Sequence, residues 1–219
     1  MTEIYGAKLS ALYDGALYEK AFDSLPKWRK DQVTLLKKQD DRIRCTGAFC
    51  LLRFAVEKRG YSADKIKFLF GEYGKPYVAD NSFFFNLSHS GKYALCAVSE
   101  GNVGCDIETV GKYRNKTAKR FFTGDEYALL SGISDEENRN KMFFSLWTLK
   151  ESVIKATGMG AAMGFSSFSV ADEKGIFDRI TVGEREYSLA LYEPFADCRS
   201  GICCVGAPPE RIIEAELFI

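Results

Sequence analysis

Only one histidine occurs in 219 residues, and the seven cysteines (45, 50, 96, 105, 198, 203 and 204) form no CxxC pair. A zinc site of the usual spacing is therefore not expected, and the thiols read as reduced core residues. Excess charge is missing too: 30 basic residues balance 30 acidic ones. That balance excludes strong non-specific attraction to nucleic acid or to an anionic membrane, so any anion site must be local. No stretch approaches the roughly 18 consecutive apolar residues of a membrane-spanning helix. The opening MTEIYGAKLSALYDG lacks a basic start followed by an apolar run, and a cytoplasmic location is the expectation. Disorder is excluded as well, because 46% of residues are hydrophobic and 14% aromatic, with no polar or repetitive tract.

What is present is an alternation of short elements. A strand-like start, Glu3 to Leu9, leads to a helical pattern opened by Pro26. A longer one follows from about Asp41 to Arg59, with Ala48, Leu51, Leu52, Ala55 and Val56 at helical spacing and Gly60 at its end. Strand-like runs near 66–70, 83–87 and 93–98 come next, separated by the turn-rich GEYGKP and SHSG segments. The second half repeats this order: a helix from Ser134, with Glu137 at capping-box spacing and Gly158 at its stop, then strand-like runs near 165–170, 187–192 and 201–206. Two short helices, 116–122 and 124–130, lie between, the second with Thr123 and Glu126 as a capping box. No Pro/Gly linker separates the halves. The expectation is two similar α+β lobes, residues 1–105 and 106–219, packed closely around a cleft that favours a ligand site.

Three stretches carry candidate chemistry. In VGCDIE, Asp106 and Glu108 stand two apart in an extended run, so both carboxylates project to one face. Like charges at that spacing are either solvated or bridged by a cation, and magnesium favours one or two carboxylates plus substrate phosphates. In WTLKESVIK, Glu151 and Lys155 lie four apart on a helix that is otherwise strongly apolar. A charged stripe on such a helix points to a cleft, with Glu151 as a third metal ligand and Lys155 as a cation for phosphate oxygens. The lone histidine sits in SHSG, where Ser88, His89, Ser90 and backbone N–H groups can converge on a phosphate. Ser88 and His89 as nucleophile and base are disfavoured, because neighbours seldom orient correctly and no acid steers the ring. Lys75 in GEYGKP adds a cation, and the run PKWRK with Arg42 and Arg44 can extend an anion site.

Together these pieces resemble the 4′-phosphopantetheinyl transferases of the surfactin-synthetase-activating class. The matching motifs are GEYGKP (71–76), FNLSHSGKY (85–93), VGCDIE (103–108), KRFFTGDEY (119–127) and WTLKESVIK (147–155), in family order and at family spacing. Similarity is weaker over 26–47 and slight beyond about residue 170. The resemblance implies two α+β lobes related by a pseudo-twofold axis, with coenzyme A and magnesium between them. It implies Asp106, Glu108 and Glu151 as metal ligands, and Arg44, Lys75, Ser88 and His89 near the coenzyme A phosphates, His89 at the 3′-phosphate. Lys155 is implied at the pyrophosphate, and Glu126 matches a further family position. Glu151 and Lys155 are the candidate catalytic residues, with either Glu151 or a metal-bound hydroxide as the base that accepts the serine proton.

Two departures stand out. Cys105 replaces the usual small aliphatic residue, and Trp28 and Asp31 stand where the family's early helix often carries lysines, with Lys27 and Lys30 one step away. The implied reaction is transfer of phosphopantetheine from coenzyme A to a serine of an apo carrier protein (acyl, peptidyl or aryl), releasing 3′,5′-ADP, by a monomer. Docking of the carrier is expected along Lys112–Phe122. The rival readings are a magnesium-dependent coenzyme A pyrophosphate hydrolase and a non-catalytic binding module.

Overall fold

Glu3–Lys8 forms the first strand, β1, and three helices follow: α1 (Gly15–Asp23), α2 (Lys27–Leu35) and α3 (Gln39–Lys58). The computed structural model describes residues 1–217, so the last two positions of the expected second lobe lie outside the described residues. Strands β2 (Phe68–Phe70) and β3 (Pro76–Val78) make a small hairpin, and β4 (Phe84–Ser90), β5 (Tyr93–Ser99) and β6 (Val103–Thr109) come next. Helices α4 (Asn115–Phe121), α5 (Gly124–Ser131) and α6 (Glu136–Thr157) precede β7 (Ala171–Asp172), β8 (Gly175–Ile176), β9 (Arg179–Val182), β10 (Arg185–Tyr192), β11 (Cys198–Cys204) and β12 (Ile213–Glu214).

The strands form two four-stranded sheets, ordered β12-β1-β5-β4 and β6-β11-β10-β9. Each contains the same unit. A strand, a long helix and two further strands pair antiparallel in the order first-third-second: β1-α3-β4-β5 in one, β6-α6-β10-β11 in the other. The chain is thus an α+β protein of two lobes whose connectivity repeats. The expected division at 105/106 falls inside β6, and β12 returns to the first sheet.

The sheets lie face to face between the long helices. Ile4, Leu95 and Ala97 of the first sheet meet Cys105, Ile107 and Ile202 of the second in a shared core. On the outer face of the first, Ala94, Cys96 and Val98 pack with Leu51, Leu52, Ala55 and Val56 of α3; on the second, Leu189 and Cys203 pack with Leu146, Leu149 and Val153 of α6. The middle strands β5 and β11 are buried at every position, β5 as a nearly all-apolar run and β11 with Arg199 and Ser200 among its buried residues.

Several elements differ from expectation. Helix α1 arises from a weak pattern, ALYEKAF, capped by Asp14, whose side chain accepts from Leu17 N–H. Asp135, not Ser134, caps α6 by accepting from Asn138 N–H. The run 165–170 is a single 3₁₀ turn and coil rather than a strand. Gly158 ends α6 in the left-handed region, φ 73°, as its position suggests. No helix among the described residues is long and apolar enough to cross a membrane.

Candidate functional site

Strand β4 runs through the serines to Ser90, leaving Gly91 and Lys92 as a two-residue turn. The expected SHSG turn is shorter because its polar side chains are strand partners. Alternation turns Asn86, Ser88 and Ser90 toward β6, the edge of the other sheet. Asn86 Oδ1 accepts from Cys105 N–H at 2.9 Å, Ser88 Oγ from Ile107 N–H at 3.3 Å and Ser90 Oγ from Thr109 N–H at 3.1 Å. The same hydroxyls donate to the two carboxylates, Ser88 to Asp106 Oδ1 and Ser90 to Glu108 Oε2, each at 2.7 Å. Ser88 is buried and its hydroxyl is committed to β6. His89 lies on the opposite side of β4, so the two cannot act as a nucleophile–base pair.

Helix α6 lies directly on the backbone of β6 and β11. A methyl group on Gly104 would stand 2.0 Å from Ser152 O and 2.4 Å from Ala156 N, and one on Gly201 2.4 Å from Thr148 C. This close approach brings Lys155 onto Asp106. Its ammonium donates to Asp106 Oδ1 at 2.6 Å, to Ser88 Oγ at 3.2 Å and to Cys105 O at 3.3 Å. Cys105 itself faces the shared core, away from the carboxylates.

Asp106, Glu108, Glu151 and Lys155 line one cavity of about 420 Å³, together with Ser88, His89, Trp28 and Arg29. Glu151 and Lys155 also face a second cavity of about 440 Å³, walled by Tyr73, Ile154 and Phe165. Burial raises the pKa of Glu151, reinforced by the charge of Asp106; burial likewise raises that of Glu108, partly offset by Ser90. For Lys155 burial is the largest single influence and acts downward, but Asp106, Cys105 and Glu151 together raise the pKa and the net shift is upward. His89 is pushed down to about 4 by the surrounding protein and then by Lys155, Arg29 and Arg44.

The residues fit a hard divalent cation. All the donors are carboxylate oxygens, and Asp106 Oδ2 is buried with no hydrogen-bond partner. Among the described residues no three His, Cys, Asp or Glu side chains are already gathered as a ligand cluster; the ammonium of Lys155 supplies the counter-charge to Asp106.

Other sequence candidates take different positions. Lys75 donates to Val103 O at 3.1 Å and Lys155 O at 2.5 Å, tying the β2–β3 hairpin to β6 and to the last turn of α6. Burial lowers its pKa to about 8. Arg44 pairs with Asp41 and donates to Gly91 O at 3.3 Å, beside the β4–β5 turn. Glu126 does not reach the cavity. It is fully buried, bonded to Lys150 Nζ at 2.9 and 2.8 Å and to Val170 N–H at 2.7 Å. Sequence reading missed Arg29 and Lys150: one lay unresolved in a basic run, the other looked like an ordinary helix lysine.

Fold and site together define a class, two helix-backed sheets with carboxylates and cations lining the cleft between them. Residues 102–199 match the model of the 4′-phosphopantetheinyl transferase superfamily. A 4′-phosphopantetheinyl transferase of Bacillus subtilis is 29% identical over 206 residues, covering 92% of this chain and 91% of that protein. The transferase Sfp of Bacillus subtilis strain 168 is 33% identical over 171 residues, 77% of this chain and 75% of Sfp. The transferase gsp of Aneurinibacillus migulanus is 34% identical over 148 residues, 68% of this chain and 61% of gsp. The chain belongs to the 4′-phosphopantetheinyl transferase superfamily.

Proposed function

We propose that the protein transfers the 4′-phosphopantetheine arm of coenzyme A to a serine of an apo carrier protein, with Asp106, Glu108 and Glu151 holding magnesium. The observation that carries this reading is that three carboxylates and Lys155 line one cavity, with one buried oxygen of Asp106 left without a hydrogen-bond partner. When bound, the metal supplies charge neutralisation at the pyrophosphate, the dominant need in phosphoryl transfer.

The chain's own residues supply the rest. The carrier serine oxygen bonds to the pantetheine-side phosphorus as the bond from that phosphorus to the bridging oxygen breaks, and 3′,5′-ADP leaves with the electron pair. Lys155 offsets charge on the leaving side. The serine proton goes to Glu151, which lines both cavities. Glu151→Gln is expected to lower kcat far more than coenzyme A affinity; equal losses in both would remove the base role.

Arg44, Lys75, Ser88 and His89 keep the positions described, and His89 is the one proposed to touch the 3′-phosphate. The carrier docks along Lys112–Phe122, where Arg114, Lys116, Lys119 and Arg120 are exposed. Both walls of the cavity come from one chain, residues 1–105 supplying β4 and 106–219 the carboxylates and α6, which favours a monomer. A reducing, cytoplasmic setting suits seven free cysteines. Release of 3′,5′-ADP with and without an apo carrier tests the reading. Carrier-dependent release is expected; carrier-independent release would indicate a coenzyme A hydrolase, and no release with any carrier a binding module.

A further inference from the structure

Strands β4 and β6 are edge strands of different sheets, and side chains rather than backbone join them. An edge strand leaves a row of N–H groups unmade. On β6 those of Cys105, Ile107 and Thr109 are taken by Asn86 Oδ1, Ser88 Oγ and Ser90 Oγ of β4, at 2.9, 3.3 and 3.1 Å. Donors and acceptors both recur at every second residue, so strand alternation alone builds three rungs at one spacing. Two of the rungs do more than close the seam. Ser88 donates to Asp106 Oδ1 and Ser90 to Glu108 Oε2, each at 2.7 Å, whereas the Asn86 side chain meets only backbone among the described hydrogen bonds.

A serine hydroxyl has one proton to give, and an ionised carboxylate can only accept. In Ser88 and Ser90 that proton is committed to an acid, and Ser88 Oγ also accepts from Lys155 Nζ at 3.2 Å. Neither hydroxyl can donate to a phosphate oxygen without releasing its carboxylate. The Ser88 bond engages Asp106 Oδ1 and turns the buried, unpartnered Oδ2 away from it. Resting on the metal site of the transferase reading, we propose that Ser88 and Ser90 are positioning residues for the metal ligands and not contacts of coenzyme A. Supplied by one lobe, they fix the carboxylates of the other, so the affinity for a divalent cation depends on how the two lobes meet.

Titration of Mn²⁺ into the full chain saturated with coenzyme A, with free Mn²⁺ read by electron paramagnetic resonance, tests this beside calorimetric coenzyme A binding in chelator. The expected result is that Ser88→Ala and Ser90→Ala each weaken Mn²⁺ about ten- to hundredfold and leave metal-free coenzyme A affinity within about twofold. Ser90→Thr, which keeps the hydroxyl, and Asn86→Ala, which removes a rung without a carboxylate, should both hold Mn²⁺ within about threefold of wild type. Ser90 is only half-buried, so its variants decide the matter if the buried Ser88→Ala does not fold. Unchanged Mn²⁺ affinity in Ser90→Ala, or a loss in Asn86→Ala as large as in the serine variants, would overturn the proposal. A fall in metal-free coenzyme A affinity with Mn²⁺ affinity intact would overturn it too and make the serines coenzyme A contacts. Those results leave the transferase reading standing. A wild-type complex that binds no Mn²⁺ would overturn both the proposal and the metal site of that reading.

Discussion

Glu108 and Glu151 carry a cost that the metal-free protein bears. Burial raises both pKa values, so the folded state holds their protons more tightly than the unfolded chain does. Stability from protonation is full below the unfolded pKa and is lost as pH rises through the folded value, leaving ionised, partly desolvated carboxylates at neutral pH. Removing one such charge should therefore stabilise the protein while disabling it. Glu108→Gln and Glu151→Gln are expected to raise the metal-free Tm at pH 7.5 by about 2–4 °C, the shift for roughly 1 kcal/mol at this size. Thermal scans at pH 5 should show a smaller difference; a lower Tm for both variants at pH 7.5 would contradict the assignment. The pair Asp106/Glu108 and the pair Glu151/Lys155 were legible because strand and helix periods fix which side chains share a face. Ser88 was legible as polar but not as a strut, since nothing local indicates that β4 would meet another sheet's edge. Arg29 was hidden because PKWRK offers three cations and the sequence does not say which one turns inward.

Helix α6 is the element that assembles the site, and two glycines and one ion pair determine where it lies. Gly104→Ala should cost about 3 kcal/mol or more, because the added methyl meets helix backbone, which cannot rotate away. Urea denaturation would measure this, and a loss below about 1 kcal/mol would mean that α6 shifts freely on β6. Lys150 neighbours Glu151 in sequence but is completely buried against Glu126. Burial lowers its pKa while Glu126 acts in the other direction. Lys150→Met leaves a buried carboxylate without its partner and should cost about 3–5 kcal/mol. Unchanged stability on urea denaturation would show that the pair contributes nothing. Helix boundaries were legible where a cap or a glycine marks them, as at Thr123, Glu126 and Gly158. They were less legible at Ser134, because Asp135 offers an equally good cap one residue later.

At the scale of the whole molecule, the repeated strand–helix–strand–strand unit places one lobe's serine-bearing strand against the other's carboxylate-bearing strand. The sequence suggested similar halves, but the repeat becomes evident only in strand order, because side-chain identity between the halves is slight. The proposed docking face belongs to this scale too. Arg120 is exposed, with its guanidinium 5.0 Å from the Phe121 ring. Arg120→Glu is expected to raise KM for the carrier at least about fivefold at low salt, with kcat little changed; an unchanged KM would remove this residue from the docking surface. The most direct test of the central claim is intact-mass measurement of an apo carrier protein incubated with the enzyme, coenzyme A and magnesium, with Asp106→Ala in parallel. The account predicts a gain of one phosphopantetheine arm with the wild type, and at least about a hundredfold slower gain with Asp106→Ala or with chelator. Modification by Asp106→Ala at the wild-type rate would contradict it.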